Sequence, residues 1–389
     1  MAADSPARAR RALVTLYSVA VFLYWIALYL YVPTLPTYVR SIDASLAVVG
    51  VVLAQYGIWQ GIVRFPLGIA SDWIGRRKPF ILAGFALAGA GALIMGRASG
   101  VSGLLIGRAV TGLAASAWVP LVVVFSSLFP ADQSVRASSV LMVAGSLGRA
   151  LATALNGWLN ELGGYGLAFN LAAVAAALAI VTVLMARETG HQRRRRSLGE
   201  VGRLIARRDV HLPAILAAIS QYGSWAATFG FVPILARELG ASDVTLSIMM
   251  SMNIGVTVVG QVVATALSNR AGAARLIILS FVLLGAGLVG SALAPSVPFV
   301  FASQVLLGLA QGIGYPVLMG TAIRDVAESS RTTAMGLFQS VYALGMFGGP
   351  ALSGVIADTV GLRPMFGFTA AACLVPGVLL ARVLDRLRR

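Results

Sequence analysis

A chain of 389 residues that is 58% hydrophobic and 11% charged, with a mean hydropathy of +0.86, is not an ordinary soluble domain, in which about 25% of residues carry charge. Its net charge of +16 resolves, once located, into membrane topology rather than a nucleic-acid patch, because 23 of the 30 Lys and Arg lie at the termini and in alternate loops between apolar runs. The single cysteine, Cys373, excludes an internal disulfide, and no metal-ligand spacing, Ser/His/Asp arrangement or cofactor motif is found, so neither an enzyme nor a bound metal or cofactor is expected.

Runs of about 20 apolar residues are the unit that crosses a bilayer. Twelve are read here, near residues 12–35, 45–69, 79–97, 102–129, 136–159, 166–186, 212–235, 243–267, 275–294, 297–323, 332–357 and 363–383. The chain is therefore expected to be an all-α integral membrane protein with twelve transmembrane helices. Arg8, Arg10 and Arg11 precede the first run, which is too long for the apolar core of a secretory leader. An even number of spans puts both termini on one side, and the Lys/Arg bias makes that side cytoplasmic. The opposite loops hold only Arg40, Arg97, Arg237 and Arg363.

Between spans 2 and 3 stands Gly68-Ile69-Ala70-Ser71-Asp72-Trp73-Ile74-Gly75-Arg76-Arg77-Lys78. Gly75 permits a turn with positive φ, Arg76 and Arg77 with Lys78 mark a cytoplasmic loop, and Asp72 can answer those cations or a helix N-terminus. This run resembles the signature between the second and third helices of the major facilitator superfamily, roughly G-x-L-[AS]-D-[RK]-x-G-[RK]-[RK], with Ala70 in place of Leu and Trp73 in place of the basic residue. The resemblance implies two pseudo-symmetric six-helix bundles and a gating role for Gly68, Asp72, Gly75, Arg76 and Arg77, with Asp72 meeting the start of span 11 near Thr332. Arg108 with Gly112 is similar to the fourth-helix R-x-x-x-G of the drug/proton-antiporter branch, in which the Arg is associated with proton coupling. The fifth-helix G-P-x-x-G-G of exporters is not met by Gly145-Ser146-Leu147-Gly148-Arg149-Ala150, although Gly345 to Pro350 in span 11 looks like it.

The basic stretch at 188–211 divides the chain into halves at 1–187 and 212–389, and a basic segment beside a membrane can bind anionic lipid headgroups. The halves echo each other. Trp25 with Val32-Pro33-Thr34-Leu35 recurs as Trp225 with Val232-Pro233-Ile234-Leu235, Ser71–Gly75 recurs faintly as Ser268–Gly272, and Arg108 to Gly112 recurs as Gln304 to Gly308.

Arg64, Arg108 and Arg149 lie inside spans, where one Arg costs about 2.5–3.5 kcal/mol on insertion scales. Their approximate repeat partners are Gln261, Gln304 and Gly345, and all 14 acids fall in loops, termini or near span ends. Such arginines face water, backbone carbonyls or an anion that comes and goes, and a planar guanidinium suits a carboxylate. Arg64 is the one placed to pair with Asp72 or with helix-end carbonyls. Other candidates for a central site are Tyr24, Trp25 and Tyr29, Gln55 and Trp59, Asn156, Gln221 and Trp225, Asn253, Gln304, Gln311 and Tyr315, and Gln339 and Tyr342; packing is the competing reading for the aromatics.

The expectation is a monomeric secondary transporter in a plasma membrane. It moves a small organic solute, anionic in character, by alternating access, with protons as the candidate coupling ion. A proton-driven exporter of lipophilic drugs is the alternative within the same fold, and a polytopic enzyme or sensor the alternative outside it.

Overall fold

The structure is a computed structural model describing residues 4–74, 76–130, 133–186, 208–326 and 331–386. Gly75, the side chains of Asp72 and Thr332, and the linker through residue 207 lie outside the described residues. Every regular element among the described residues is helical. In order these are α1 (Asp4–Tyr29), a 3-10 turn (Val32–Thr34), α2 (Leu35–Ile42), α3 (Leu46–Ile74), α4 (Lys78–Gly96), α5 (Val101–Ala115), α6 (Trp118–Ser127), α7 (Ser134–Met185), α8 (Arg208–Ala226), a π turn (Ala227–Phe231), α9 (Val232–Glu238), α10 (Asp243–Ala271), α11 (Ala273–Leu293), α12 (Val297–Ile323), α13 (Arg331–Val360) and α14 (Leu362–Arg386).

Among the described residues, ten helical stretches are long and apolar enough to cross a membrane, against the twelve runs read from the sequence. One of them, Arg136–Met185, has 50 residues. Fully straight it would extend about 75 Å, more than twice the hydrocarbon core of a bilayer. It does not stay straight: the backbone leaves helical geometry at Gly163 and Gly164, and Gly164 has φ +67°, a conformation closed to most side chains.

Prolines set the other breaks. Pro33 and Pro233, the repeated pair, lie in the 3-10 turn that ends the first long helix and just beyond the π turn that follows α8. Each lacks the N–H that would continue the helix, so both halves distort at the same place with opposite hydrogen-bond spacing. Pro120 stands in the first turn of α6, just after the break at Ser116–Ala117 that ends α5. Without an N–H at 120, the amide of Val119 shifts to the carbonyl of Ser116 (3.2 Å), which releases the carbonyl of Ala115. The echo of the opening motif also has its turn: Gly272 joins α10 to α11 with φ +77°.

Helices approach through glycine, as expected where lipid removes the hydrophobic drive to associate. α3 packs along α13, and a Cβ added to Gly50 would sit 2.2 Å from the Pro350 carbonyl oxygen, one on Gly57 2.6 Å from the Phe347 nitrogen. The α7 helix meets α1 the same way: a Cβ added to Gly148 would sit 2.5 Å from the Phe22 carbonyl oxygen and 3.2 Å from Trp25 Cβ. A Cβ added to Gly349 would sit 2.5 Å from the Tyr222 carbonyl oxygen and 3.3 Å from Trp225 Cβ. Phe22 and Trp25 correspond to Tyr222 and Trp225, so Gly148 corresponds to Gly349. The repeat partner of Arg149 is therefore Pro350, and the expected pairing with Gly345 is off by about one helical turn.

The end of the molecule carrying the turn at 43–45 is closed by polar contacts between the two parts of the chain. Arg40 pairs with Glu238 (2.7 Å), and Asp358 accepts from the Leu46 amide (2.8 Å) at the start of α3. Deeper in, Thr34 donates to Asn156 (2.8 Å), Asn160 donates to both Thr34 (2.9 Å) and Asp243 (2.8 Å), and Asp243 also pairs with Arg237. At the opposite end Lys78 reaches the carbonyls of Leu184 (3.1 Å) and Ala186 (2.7 Å), using a cation to finish a helix C-terminus.

Candidate functional site

The three intramembrane arginines are each laid against an aromatic ring. Arg108 has its guanidinium carbon 4.4 Å from the ring centre of Tyr56, Arg149 lies 4.7 Å from Trp25 and 6.0 Å from Tyr29, and Arg64 lies 6.0 Å from Tyr342. Among the described residues none of the three pairs with a carboxylate. A desolvated cation–π contact of about 2 kcal/mol recovers most of what an arginine costs at a helix centre. The sequence offers no direct sign of this solution. Tyr56 stands out neither by composition nor by motif, and it is the most consequential residue that sequence reasoning misses.

The R-x-x-x-G spacing explains the Arg108 contact. Gly112, one turn after Arg108, touches the backbone of α3, with its missing Cβ 2.8 Å from the Tyr56 carbonyl oxygen. That close approach brings the Tyr56 ring under the guanidinium. Gly308 makes the same contact with Asn253 (2.9 Å), and there the Asn253 amide donates to the backbone oxygen and the Oε1 of Gln304, both at 2.9 Å. One packing frame thus holds a cation on a ring in the first half and an amide on an amide in the second.

Arg64 is a bridge between the parts. Its Nη1 donates to Tyr342 (2.7 Å) and Gln339 (3.3 Å) on α13, and its Nη2 to the Ala115 carbonyl (3.4 Å) that the Pro120 break leaves open. The expected helix-end carbonyl is present; the Asp72 alternative lies outside the described residues. Arg64 and Arg108 are 6% and 3% exposed, whereas Arg149 is half-buried. Counted along their helices from the Asp43 end at 1.5 Å per residue, the three stand roughly 10 Å (Arg108), 21 Å (Arg149) and 27 Å (Arg64) deep. They converge electrostatically: Tyr29 is in range of Arg108 and Arg149, and Tyr315 of Arg64 and Arg149.

Between Arg149 and Arg108 runs a continuous row of six rings. Trp118 meets Trp25 at 5.3 Å, Trp25 meets Tyr29 at 5.4 Å, Tyr29 meets Phe229 at 6.3 Å, Phe229 stacks on Trp225 at 4.7 Å and Trp225 on Tyr56 at 5.4 Å. The Tyr29–Phe229 and Trp225–Tyr56 contacts join the two parts of the chain. Nitrogen donors around this row have no hydrogen-bond partner: Arg149 Nε, Trp25 Nε1, and Nε and Nη1 of Arg108.

The other expected residues divide sharply. Tyr24 is buried, stacked on Phe85 and donating to the Ala114 carbonyl (3.0 Å), and Asn156 belongs to the network with Thr34 and Asn160. Gln304 Oε1 accepts from Thr228 and Asn253, and Gln311 Oε1 from Ser224 (3.1 Å); Gln221 is buried. Gln55 and Trp59 bond to each other (3.1 Å) on a stripe shared with the exposed Val51 and Ile62, away from the ring row. In the opening motif, a Cβ added to Gly68 would lie 3.7 Å from Val119 of α6, Arg76 is exposed and Arg77 is partly buried.

The sequence matches the profile of the Major Facilitator Superfamily twice, over residues 17–213 and 214–389. It is 20% identical over 339 residues to an MFS-type transporter of Methanocaldococcus jannaschii, covering 85% of this chain and 87% of that one. It is 39% identical over 74 residues to the inner membrane transport protein YajR of Escherichia coli, a match confined to 19% of this chain and 16% of that protein. The fold is similar to the crystal structure of a bacterial homologue of the human lysosomal transporter Spinster, with a TM-score of 0.82, 14% identity and 97% of each chain covered. The chain belongs to the major facilitator superfamily: it is a multi-pass membrane transporter and not an enzyme.

Proposed function

We propose that the protein is a secondary active transporter of a small organic anion, with Arg149 as the residue that receives the cargo and Arg108 as a second, buried source of positive potential. The observation that carries this reading is the set of unanswered N–H donors beside a half-buried Arg149, in a layer where no described carboxylate pairs with an arginine. Donors without acceptors call for an anion, which accepts at every lone pair. A lipophilic cation would meet uncompensated positive charge there, which weighs against the drug-exporter alternative.

Alternating access follows from the same geometry. The polar contacts at the Asp43 end close one face, and the glycine-lined seams between α3 and α13 and between α7 and α10 give surfaces on which two bundles can rock. Twelve spans are supported by the Gly163–Gly164 break, which divides one long stretch into two, and by the helical run through 208–238. Halves at 1–187 and 212–389, joined by the linker at 188–211, are supported by two separate matches to the family profile and by the paired Pro33 and Pro233 distortions. The Lys/Arg bias supports a cytoplasmic Arg76 end with both termini on that side, in a plasma membrane whose anionic lipids meet the linker. The chain acts as a monomer, with protons as the coupling ion.

The test is flux into proteoliposomes under an imposed pH gradient, with a panel of carboxylates, neutral solutes and cations. Carboxylate uptake should exceed the others, and Arg149→Gln should lower it about 10- to 100-fold, the loss of one charge-assisted hydrogen bond of roughly 1.5–3 kcal/mol. Unchanged carboxylate uptake in that variant overturns the anion reading, and flux without a pH gradient, unaffected by imposing one, overturns proton coupling.

A further inference from the structure

We infer that the cargo is an aryl carboxylate: a planar aromatic body bound edge-to-face by the partly exposed rings of Trp25, Tyr29, Trp118 and Phe229, with its carboxylate on Arg149. This inference rests on the anion reading above and narrows it to a chemical class.

Two observations carry it. The first is which polar groups are already engaged. A sugar or other hydroxyl-rich solute needs side chains that both donate and accept, and the chain supplies several amides in its central helices. The acceptor oxygens of several of those amides are engaged between helices. Gln304 Oε1 takes bonds from Thr228 and Asn253, Gln311 Oε1 takes one from Ser224, and Asn156 and Asn160 serve Thr34 and Asp243. Near the ring row the unanswered nitrogens of Arg149, Arg108 and Trp25 are donors, and beside Arg108 the Tyr31 hydroxyl is the one unanswered group in this set that can also accept. Such a surface recognises one or two anionic oxygens and little else that is polar.

The second is the shape of what remains. Trp25, Tyr29, Trp118 and Phe229 are the half-buried members of the row, whereas Tyr56 and Trp225 are buried. The half-buried rings meet one another edge-to-face, at 5.3 Å and 66° for Trp25 and Trp118, 5.4 Å and 63° for Trp25 and Tyr29, and 6.3 Å and 86° for Tyr29 and Phe229. Offset and T-shaped spacings of this kind are what a further aromatic ring prefers, so a flat aryl group extends the row without disturbing it. Arg149 lies on the faces of two of these rings, so a carboxylate attached to an aryl body seated there lies within a few bond lengths of its guanidinium. The array also spans both parts of the chain through Tyr29 and Phe229. Cargo inserted beside that contact touches both parts at once, and this is how binding energy reaches a rocking motion.

The experiment is equilibrium binding to the full-length purified protein in detergent, followed by calorimetry and by quenching of tryptophan fluorescence, with benzoate, cyclohexanecarboxylate, lactate and benzamide as probes. Benzoate should bind about 3- to 10-fold more tightly than cyclohexanecarboxylate, the increment of one favourable aromatic contact, and more tightly still than lactate. Benzamide, with the same ring and no charge, should bind about 10- to 100-fold more weakly than benzoate. In Phe229→Leu the benzoate-to-cyclohexanecarboxylate ratio should shrink towards one. Equal binding of benzoate, cyclohexanecarboxylate and lactate overturns the aryl inference and leaves the anion reading standing. Equal binding of benzoate and benzamide, or no binding of any carboxylate, overturns both. The probe panel uses the unmodified protein, so its outcome does not depend on the variant folding.

Discussion

Arg108 on Tyr56 and Gln304 on Asn253 occupy the same position in the two repeats of this chain, each reached through a glycine one turn along the helix. The frame is the same; the chemistry is not. In the second half, the Asn253 amide donates to the Gln304 side-chain oxygen and to its backbone carbonyl, each at 2.9 Å, and Gln304 Nε2 is left over. In the first half, a guanidinium lies on a ring face beside the Tyr31 hydroxyl, and its Nε and Nη1 are without a hydrogen-bond partner among the described residues. On the proposed reading, the second half is complete in itself and the first is completed by the cargo. Arg149 follows the same division, since Pro350, a residue without a donor, stands at its place in the second repeat.

Substitutions put this contrast between the halves at risk. The largest effect should come from the frame itself. Gly148→Val and Gly349→Val each drive a branched side chain into a backbone oxygen only 2.5 Å from the first added carbon, and both should cost about 1–3 kcal/mol or more in thermal unfolding of the purified protein. Equivalent losses are expected, because the steric frame is shared. A loss confined to one variant would mean that the two halves do not share it.

Next comes an exchange of chemistries. Arg108→Gln and Tyr56→Asn each strand a buried partner, whereas the double variant rebuilds the arrangement of Gln304 and Asn253. A double-mutant cycle in unfolding should therefore show coupling of about 1–2 kcal/mol. The double variant should be as stable as the parent but weaker in carboxylate binding. Additive losses would mean that Tyr56 does not hold Arg108.

A smaller effect is expected for Gln339→Leu, which removes the longer of the two side-chain bonds from Arg64 to α13 (3.3 Å) and keeps Tyr342 (2.7 Å). Stability should fall by about 1 kcal/mol, with transport slowed and its selectivity retained. An altered solute preference would move Arg64 from strut to binding residue. The smallest effect should be that of Arg40→Ala, since an exposed ion pair such as Arg40–Glu238 contributes only about 0–1 kcal/mol. Its influence should appear, if anywhere, as a change in transport rate that added salt diminishes.

Much of the architecture can be read directly from the residues. The apolar runs, the Trp25/Trp225 and Pro33/Pro233 echoes and the glycine at 272 are local signals, and the long helices and the Gly272 turn stand where these signals put them, whereas the breaks inside the runs at 12–35, 102–129 and 212–235 are not read from the sequence. The register of the repeat is harder to read. Gly345 resembles the fifth-helix glycines by spacing, but contact with Tyr222 and Trp225 makes Gly349 the partner of Gly148, because a helix displaced by one turn presents nearly the same pattern to the sequence.

The site is legible only in outline. Charge inside an apolar run is expensive enough to mark Arg64, Arg108 and Arg149 from composition alone. Which of them is reachable depends on what covers it, and that is a property of neighbours distant in the chain. The amides show the same limit. A Gln or Asn in a span announces that it needs a partner without saying whether the partner is cargo or another helix, and Asn156, Gln304 and Gln311 are engaged with neighbouring helices.

The class of the protein, a multi-pass membrane transporter with three arginines inside apolar runs, is written in the order of its residues, because solvation energy and charge placement are additive along a chain. How those arginines are tolerated, and which of them is free to act, is settled only when the chain folds. Cation–π contacts, released carbonyls and orphan donors arise between residues as far apart as Arg64 and Tyr342, separated by 278 positions, and no local pattern encodes them.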